Sequence, residues 1–324
     1  MSNTRAEISF VSFFLSLLLG LPASSATAAS VELTVHGGGH DRKDVSVMAT
    51  IELPKNVHSP SSVELTLPDG KTIPAELTAV GICTGAAGSP DRRELHFILP
   101  EIKAGETLSL KGKLNSAETS SSSASGFHWQ DLPNDHFLLS NGDRPVLDYM
   151  CRPLDESSKD KRDETFKPYH HLYDPDGKIL VTKGPGGLYP HHRAMFFGYN
   201  KISYSGNTAD VWHCTDGAYQ SHEKLLDEEA GPVLGRHCVA IDWHGKDRVP
   251  FAHEQREMTV YSLPGGTIID FASHLETARG KVHLDGDPQH SGFHFRAAQE
   301  VANKTSKDTI FIRTDGPAKA GDTI

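Results

Sequence analysis

Val63-Glu64-Leu65-Thr66-Leu67, closed by Pro68-Asp69-Gly70, alternates apolar and polar side chains and then turns. A period of two puts the apolar residues on one face of a strand and the polar ones in water. Pro-Asp-Gly supplies the turn. The same alternation recurs in Val31-Glu32-Leu33-Thr34-Val35 and Leu108-Ser109-Leu110-Lys111-Gly112, with residues 100–106 as the loop before the last strand. Short strands at this spacing predict a small β-sandwich domain over residues 29–115. No catalytic constellation is visible there. His36, His40, His58 and His96 are scattered and read as ordinary surface or strand residues.

Residues 116–126 are Ser-rich without apolar periodicity, which reads as a linker. Beyond it the strand signals resume at 146–150, 169–173, 178–182, 195–199, 233–243, 256–261, 267–276 and 292–297. Asp174-Pro175-Asp176-Gly177 and Leu263-Pro264-Gly265-Gly266 supply turns between them. The one helix-like stretch is 221–229. The fold class is therefore all-β, with residues 127–324 forming a second, larger antiparallel β-sandwich with long functional loops. The end of the chain reads as a strand at 309–313 followed by loop composition. A sandwich seldom leaves such a strand without a neighbour, so closing strands are expected to follow.

At the other end, Arg5 precedes an apolar run from Phe10 to Leu21, and Ala26-Thr27-Ala28 offers small residues for cleavage. Residues 1–28 thus read as a secretory signal, shorter than the roughly 20 apolar residues a spanning helix needs. The expected location is periplasmic or secreted, with no membrane span in the mature chain. A length of 324 residues suits two domains of roughly 100–200 residues each. The net charge of −10 argues against a nucleic-acid partner, which would need basic charge, and against docking on anionic lipid. Cys83, Cys151, Cys214 and Cys238 admit three complete pairings, and no C-x-x-C pair is present.

The unusual count is 19 His, more than Met (5), Trp (3) and Tyr (8) combined, and fifteen of them follow Phe127. Two clusters stand out. Tyr189-Pro190-His191-His192-Arg193 follows the glycine-rich Gly184-Pro185-Gly186-Gly187 and precedes an apolar strand. Adjacent His191 and His192 point apart in an extended chain, so both reach one pocket only if the backbone kinks. Imidazole exchanges protons near neutral pH and guanidinium stays charged, which suits an anionic or polyhydroxyl ligand. In Asp285-Gly286-Asp287-Pro288-Gln289-His290-Ser291-Gly292-Phe293-His294-Phe295-Arg296, strand parity puts His290, Gly292, His294 and Arg296 on one face. The opposite Phe face is expected in the core, leaving the His/Arg face toward a cleft with room for a ligand at Gly292.

Trp212-His213-Cys214 adds a Trp suited to stacking on a sugar ring and another imidazole, and Glu223 beside His222 offers a general base. His290 and His294 with His191 or His192 also match the donor set of a divalent metal. H-E-x-x-H, G-x-S-x-G and a phosphate-binding glycine loop before a helix are absent from the sequence.

At these residues the sequence resembles a bacterial family, frequent in planctomycetes, labelled "methane oxygenase PmoA" or domain of unknown function. The resemblance covers about residues 127–324 and is carried by 188–198, Ala209-Asp210-Val211-Trp212-His213-Cys214 and 285–296. The label implies a metal-dependent oxidoreductase. The β-rich pattern is similar to the supersandwiches of galactose-mutarotase-like proteins, which implies His and carboxylate chemistry on sugars. The leading expectation is an exported carbohydrate-active enzyme, an epimerase or lyase more than a hydrolase. His191, His192, His290 and His294 would move protons, and Arg193, Trp212, His213 and Arg296 would bind a small-molecule or glycan ligand. A glycan-binding protein or scaffold without catalysis is the third expectation.

Overall fold

The computed structural model describes residues 30–53, 60–85, 89, 91–116, 126–133, 135–310, 312–314 and 316–317. The expected signal segment, His58 and nearly all of the Ser-rich stretch lie outside them. The chain is mostly β, with 57% strand and 7% helix. No helix among the described residues is long and apolar enough to cross a membrane. The described residues fall into two compact units: the first takes in those from 30 to 127 together with 229–235 and 259–269, the second the remainder.

The first unit is built on β1 (Ser30–His36), β2 (Arg42–Glu52), β3 (Pro60–Thr66), β4 (Thr72–Thr78), β5 (Arg92–Ile102) and β6 (Thr107–Ser116). They form one curled antiparallel sheet in the order β1-β6-β3-β4-β5-β2. The alternation read from the sequence is the alternation of burial. Leu33, Leu65, Leu95, Phe97 and Leu110 point into a shared core, while their neighbours in β1 face water. Gly112 is needed where β6 passes between β1 and β3, because a Cβ there would lie 2.5 Å from Val31 Cγ1. His96 is not the ordinary residue its sequence context suggested. It is 1% exposed, and its ring meets Tyr261 Oη (2.8 Å), Thr78 Oγ1 (3.1 Å) and Glu94 Oε2 (3.2 Å). Partners at both ring nitrogens are what make its burial tolerable.

In the second unit a six-stranded sheet runs in the order β19-β11-β10-β9-β8-β7. Its strands are β7 (Phe127–Leu132), β8 (His136–Asn141), β9 (Arg144–Met150), β10 (Tyr169–Leu172), β11 (Met195–Tyr199) and β19 (Ser291–Phe295). A three-stranded sheet holds β12 (Lys201–Tyr204) between β13 (Asn207–Ala209) and β18 (Val282–Asp285). A four-stranded sheet, whose residues within 229–235 and 259–269 count in the first unit, follows chain order through β14 (Tyr219–Ala230), β15 (Leu234–His244), β16 (Pro250–Leu263) and β17 (Gly266–Thr277). Tyr149, Phe197, Ile202, Val239, Trp243 and Phe251 gather apolar surface from all three sheets.

Three local expectations change. The 221–229 stretch is part of strand β14, not a helix: its Glu and Lys residues favour helix weakly, and sheet pairing overrides that preference. The one α-helix among the described residues, α1 (Lys159–Thr165), begins where the Ser158 hydroxyl accepts the Lys161 N–H (3.2 Å). Residues 178–182 form no strand; they make the isolated bridges Tyr173↔Leu180 and Thr182↔Ala297, and the Val181 N–H bonds to the Leu172 carbonyl of β10 (2.9 Å). Cys151, Cys214 and Cys238 are free, buried thiols, and burial pushes Cys151 and Cys238 up to about 12 and Cys214 to about 11.

Candidate active site

Strand β11 carries the site from underneath. It pairs with the edge strand β19 in a register that sets Phe196 against His294 and Gly198 against Gly292. Gly292 sits at φ +92°, where glycine is favoured, and a Cβ there would meet open space. Trp212, fully buried, packs against Phe196, with ring centres 5.3 Å apart. Trp212 therefore does not stack on a ligand. It is the floor on which the imidazoles stand: His191 (5.4 Å), His192 (5.5 Å), His213 (4.6 Å), His290 (4.5 Å) and His294 (5.2 Å) all surround its ring.

The two distant His clusters of the sequence meet here. His213 links them, with His191 at 4.8 Å and His290 at 5.0 Å between ring centres. All five imidazoles are half-buried. The adjacent His191 and His192 reach the same floor because the backbone does kink. Tyr189 takes φ +57°, and the His192 N–H bonds back to the Tyr189 carbonyl (3.0 Å). Arg193 is not available to a ligand. It is fully buried, and its guanidinium donates to the carbonyls of Pro190 and His192 (3.1 Å), so it holds this turn in shape.

The parity of the second cluster is right, but its faces are reversed in burial. His294 and Arg296 are half-buried, while Phe293 and Phe295 are 42% and 48% exposed. The reason is that β19 is an edge strand. Its Phe face is covered only in part, by Phe271 at 4.4 Å from Phe293.

Two carboxylates that the sequence reading passed over organise the imidazoles. Asp210 accepts the backbone N–H groups of Trp212 (3.0 Å) and His213 (2.7 Å) on one oxygen, and His213 Nδ1–H on the other (2.7 Å). Asp287 accepts Gln289 N–H (3.0 Å) and His290 Nδ1–H (2.6 Å), while Asn200 Nδ2 donates to its second oxygen (3.0 Å). Each aspartate thus shapes its loop and fixes the tautomer of an imidazole three residues later, leaving Nε2 as the reactive nitrogen. The signal in the sequence was the repeated D-x-x-H, as Asp210-Val211-Trp212-His213 and Asp287-Pro288-Gln289-His290. A cavity of about 660 Å³ is lined by Asn200 and Asp210 among others, and by none of the five imidazoles.

Electrostatically the cluster is cationic inside an acidic chain. Lys167, Lys183, Arg193 and Arg296 surround it, and none has a carboxylate partner among the described residues. Lys167 is buried and donates to the Trp212 carbonyl. Lys183 donates to the carbonyls of Gly184 (2.9 Å) and Gly186 (2.6 Å) and so anchors the glycine-rich loop. Burial, with neighbouring positive groups, pushes His191 and His294 down to about 4 and His192 to about 3.

Residues 137–320 match a family described as Family of unknown function (DUF6807). The chain belongs to this family. No curated protein and no solved structure matches it. All five imidazoles, both aspartates and all four cations of this DUF6807 chain fall inside the matched region.

A second constellation lies elsewhere on the same unit. Ligand atoms of Glu223, Asp242 and His244 come within 4.8 Å of one another, a convergence that the five-imidazole cluster does not share among the described residues. His222, the neighbour of Glu223 in sequence, meets Tyr149 Oη through Nδ1 (3.1 Å).

Proposed function

We propose that this chain is an exported enzyme that moves protons on a polyhydroxylated substrate, a sugar, by means of the imidazole cluster. The observation that supports it is the pair of Asp–His dyads. His213 and His290 stand 5.0 Å apart between ring centres, each with Nδ1 tied to its own aspartate. Two imidazoles of matched tautomer, side by side, supply the base and the acid that an epimerase or a lyase requires. Hydrolysis fits less well, because a glycosidase uses two carboxylates across the scissile bond, and here both aspartates are spent on histidines. His191, His192 and His294 stand beside the dyads around Trp212 as neutral groups at pH 7. Arg296 binds substrate oxygen. Trp212 supports the rings from below, and Arg193 positions His191 and His192. Export is supported by the signal-like pattern of residues 1–28.

The test is turnover of a panel of neutral and acidic sugars, followed by chromatography, with the full chain and with His213→Gln and His290→Gln. The expected result is product from at least one sugar and a loss of about 10²–10⁴-fold in rate in either variant. A sugar that binds without turnover, equally well to both variants, would make the protein a non-catalytic glycan binder and refute the proposal.

A further inference from the structure

We infer that the substrate is an acidic sugar, a hexuronate, and that Arg296 and His294, seated on Trp212, receive its carboxylate; this rests on the sugar proton-transfer reading above. The argument begins with hydrogen-bond donors that have nothing to bond. Arg296 uses Nη2 on the Gln289 carbonyl (3.0 Å) and on His294 Nδ1 (3.3 Å). Its Nε–H is buried without an acceptor. His294, whose Nδ1 faces that guanidinium, has its Nε2 buried without a partner. The indole Nε1–H of fully buried Trp212 is a third.

These three side chains adjoin one another. The Arg296 guanidinium carbon is 5.2 Å from the Trp212 ring centre, and the Trp212 and His294 ring centres are 5.2 Å apart. A buried donor without an acceptor is unfavourable, so a cluster of them beside a guanidinium with no carboxylate partner among the described residues calls for an acceptor. A carboxylate satisfies it. It brings two oxygens with about four lone-pair positions and a negative charge, and charge-assisted bonds to arginine are the strong ones. A hydroxyl meets the donors only in part and leaves the charge uncompensated.

A carboxylate also gives the dyads a task. In a hexuronate the hydrogen on C5, next to the carboxylate, is the acidic C–H. One dyad imidazole takes that proton through Nε2, and the C–H electron pair moves into the carboxylate as an enediolate, where Arg296 and the adjoining N–H donors stabilise the added charge. The second imidazole, protonated, then completes one of two outcomes. It returns a proton to the opposite face of C5, which inverts that centre. Alternatively the electron pair forms a C4–C5 double bond, the C4–O bond breaks, and the departing oxygen takes the imidazole's proton. Neither route needs an oxidant or reductant. A sulfate ester would fill the donors equally well but would not acidify a neighbouring C–H.

The experiment incubates the full chain in D2O with methyl glycosides of glucuronate, galacturonate and mannuronate, beside the corresponding neutral hexosides. Proton NMR follows H5, and calorimetry measures binding, with inorganic sulfate as competitor. The expected result is H5 loss in at least one uronate and in no neutral hexoside. Arg296→Gln should weaken uronate binding about tenfold or more, with Arg296→Lys intermediate and both variants keeping the wild-type melting temperature within a few degrees. Arg296-dependent uronate binding without H5 exchange or product supports the carboxylate assignment while sinking the proton-transfer reading. Turnover of neutral sugars as fast as uronates, or sulfate competing as well as a uronate binds, overturns the assignment and leaves proton transfer standing. Absence of any uronate binding overturns it outright.

Discussion

The rings of His213 and His290 lie 5.0 Å apart, and each is held by an aspartate three residues earlier in its own loop. The same carboxylates also cap backbone N–H groups, so loop shape and imidazole tautomer are set by one group.

That coupling makes Asp210→Asn informative. The amide oxygen keeps the acceptor for Trp212 and His213 N–H, while the NH2 now faces His213 Nδ1 and drives the ring proton to Nε2. The expected outcome is a melting temperature close to wild type with turnover reduced about 10²–10⁴-fold. Nitrogen-15 shifts of His213 should report the exchanged tautomer. Unchanged turnover with an exchanged tautomer would remove His213 from the chemistry.

The lowered imidazoles set a pH dependence of stability. His191 and His294 at about 4 and His192 at about 3 lie below the ordinary 6.5, so below pH 6.5 the unfolded chain binds protons that the folded chain refuses. Stability is therefore independent of these groups above about pH 7. It falls as pH drops from 6.5 toward 4, and His192 extends the loss toward 3. Melting temperatures across pH 4–8 test this, and replacing the three by Gln together should make the acid limb shallower without abolishing it, because burial also holds His171 down to about 4 and His237 to about 3.

Deeper in the second unit, buried Glu254 accepts Arg256 Nε (2.7 Å) and Nη2 (2.9 Å), Trp243 Nε1 (2.8 Å) and the Oγ–H of half-buried Ser273 (3.1 Å). Arg256→Met strands a buried carboxylate and should cost about 3–5 kcal/mol in urea unfolding. Adding Glu254→Gln should recover part of it. A single-variant loss under 1 kcal/mol would mean that water reaches Glu254.

How far the sequence could be read follows from which forces are local. Alternation at Val63–Leu67 is a backbone period and survives folding unchanged, so the β class was legible. The 221–229 stretch misled because helix preference is worth tenths of a kcal/mol per residue, less than a place in a four-stranded sheet. The parity of His290, His294 and Arg296 was legible for the same reason as the strands. Which face is covered was not, because it depends on β19 being an edge, a fact of topology. Arg193 and Trp212 looked like ligand-facing residues by type alone, and only packing reveals them as supports. Asp210 and Asp287 were hidden for a different reason: an aspartate before a turn is commonplace, and its second task shows only when the imidazole three residues on is seen to need a partner.

Lys167 offers the last test. Its ammonium donates to the Trp212 carbonyl and lies 3.8 Å from the centre of the Phe196 ring, buried and without a carboxylate among the described residues. Burial first, then Arg193 and Arg296, brings it down to about 7. An unfolded lysine titrates near 10.4. Between about pH 10 and pH 7 the unfolded state therefore holds a proton that the folded state has released, and wild-type stability rises with pH across that window. Lys167→Met removes this dependence. It also loses the bond to the Trp212 carbonyl, a cost independent of pH. The variant's melting temperature relative to wild type should accordingly be higher at pH 6 than at pH 10, whatever its absolute sign. An identical difference at both pH values would show that the folded protein keeps Lys167 charged, and that a counter-ion reaches it beneath the imidazoles.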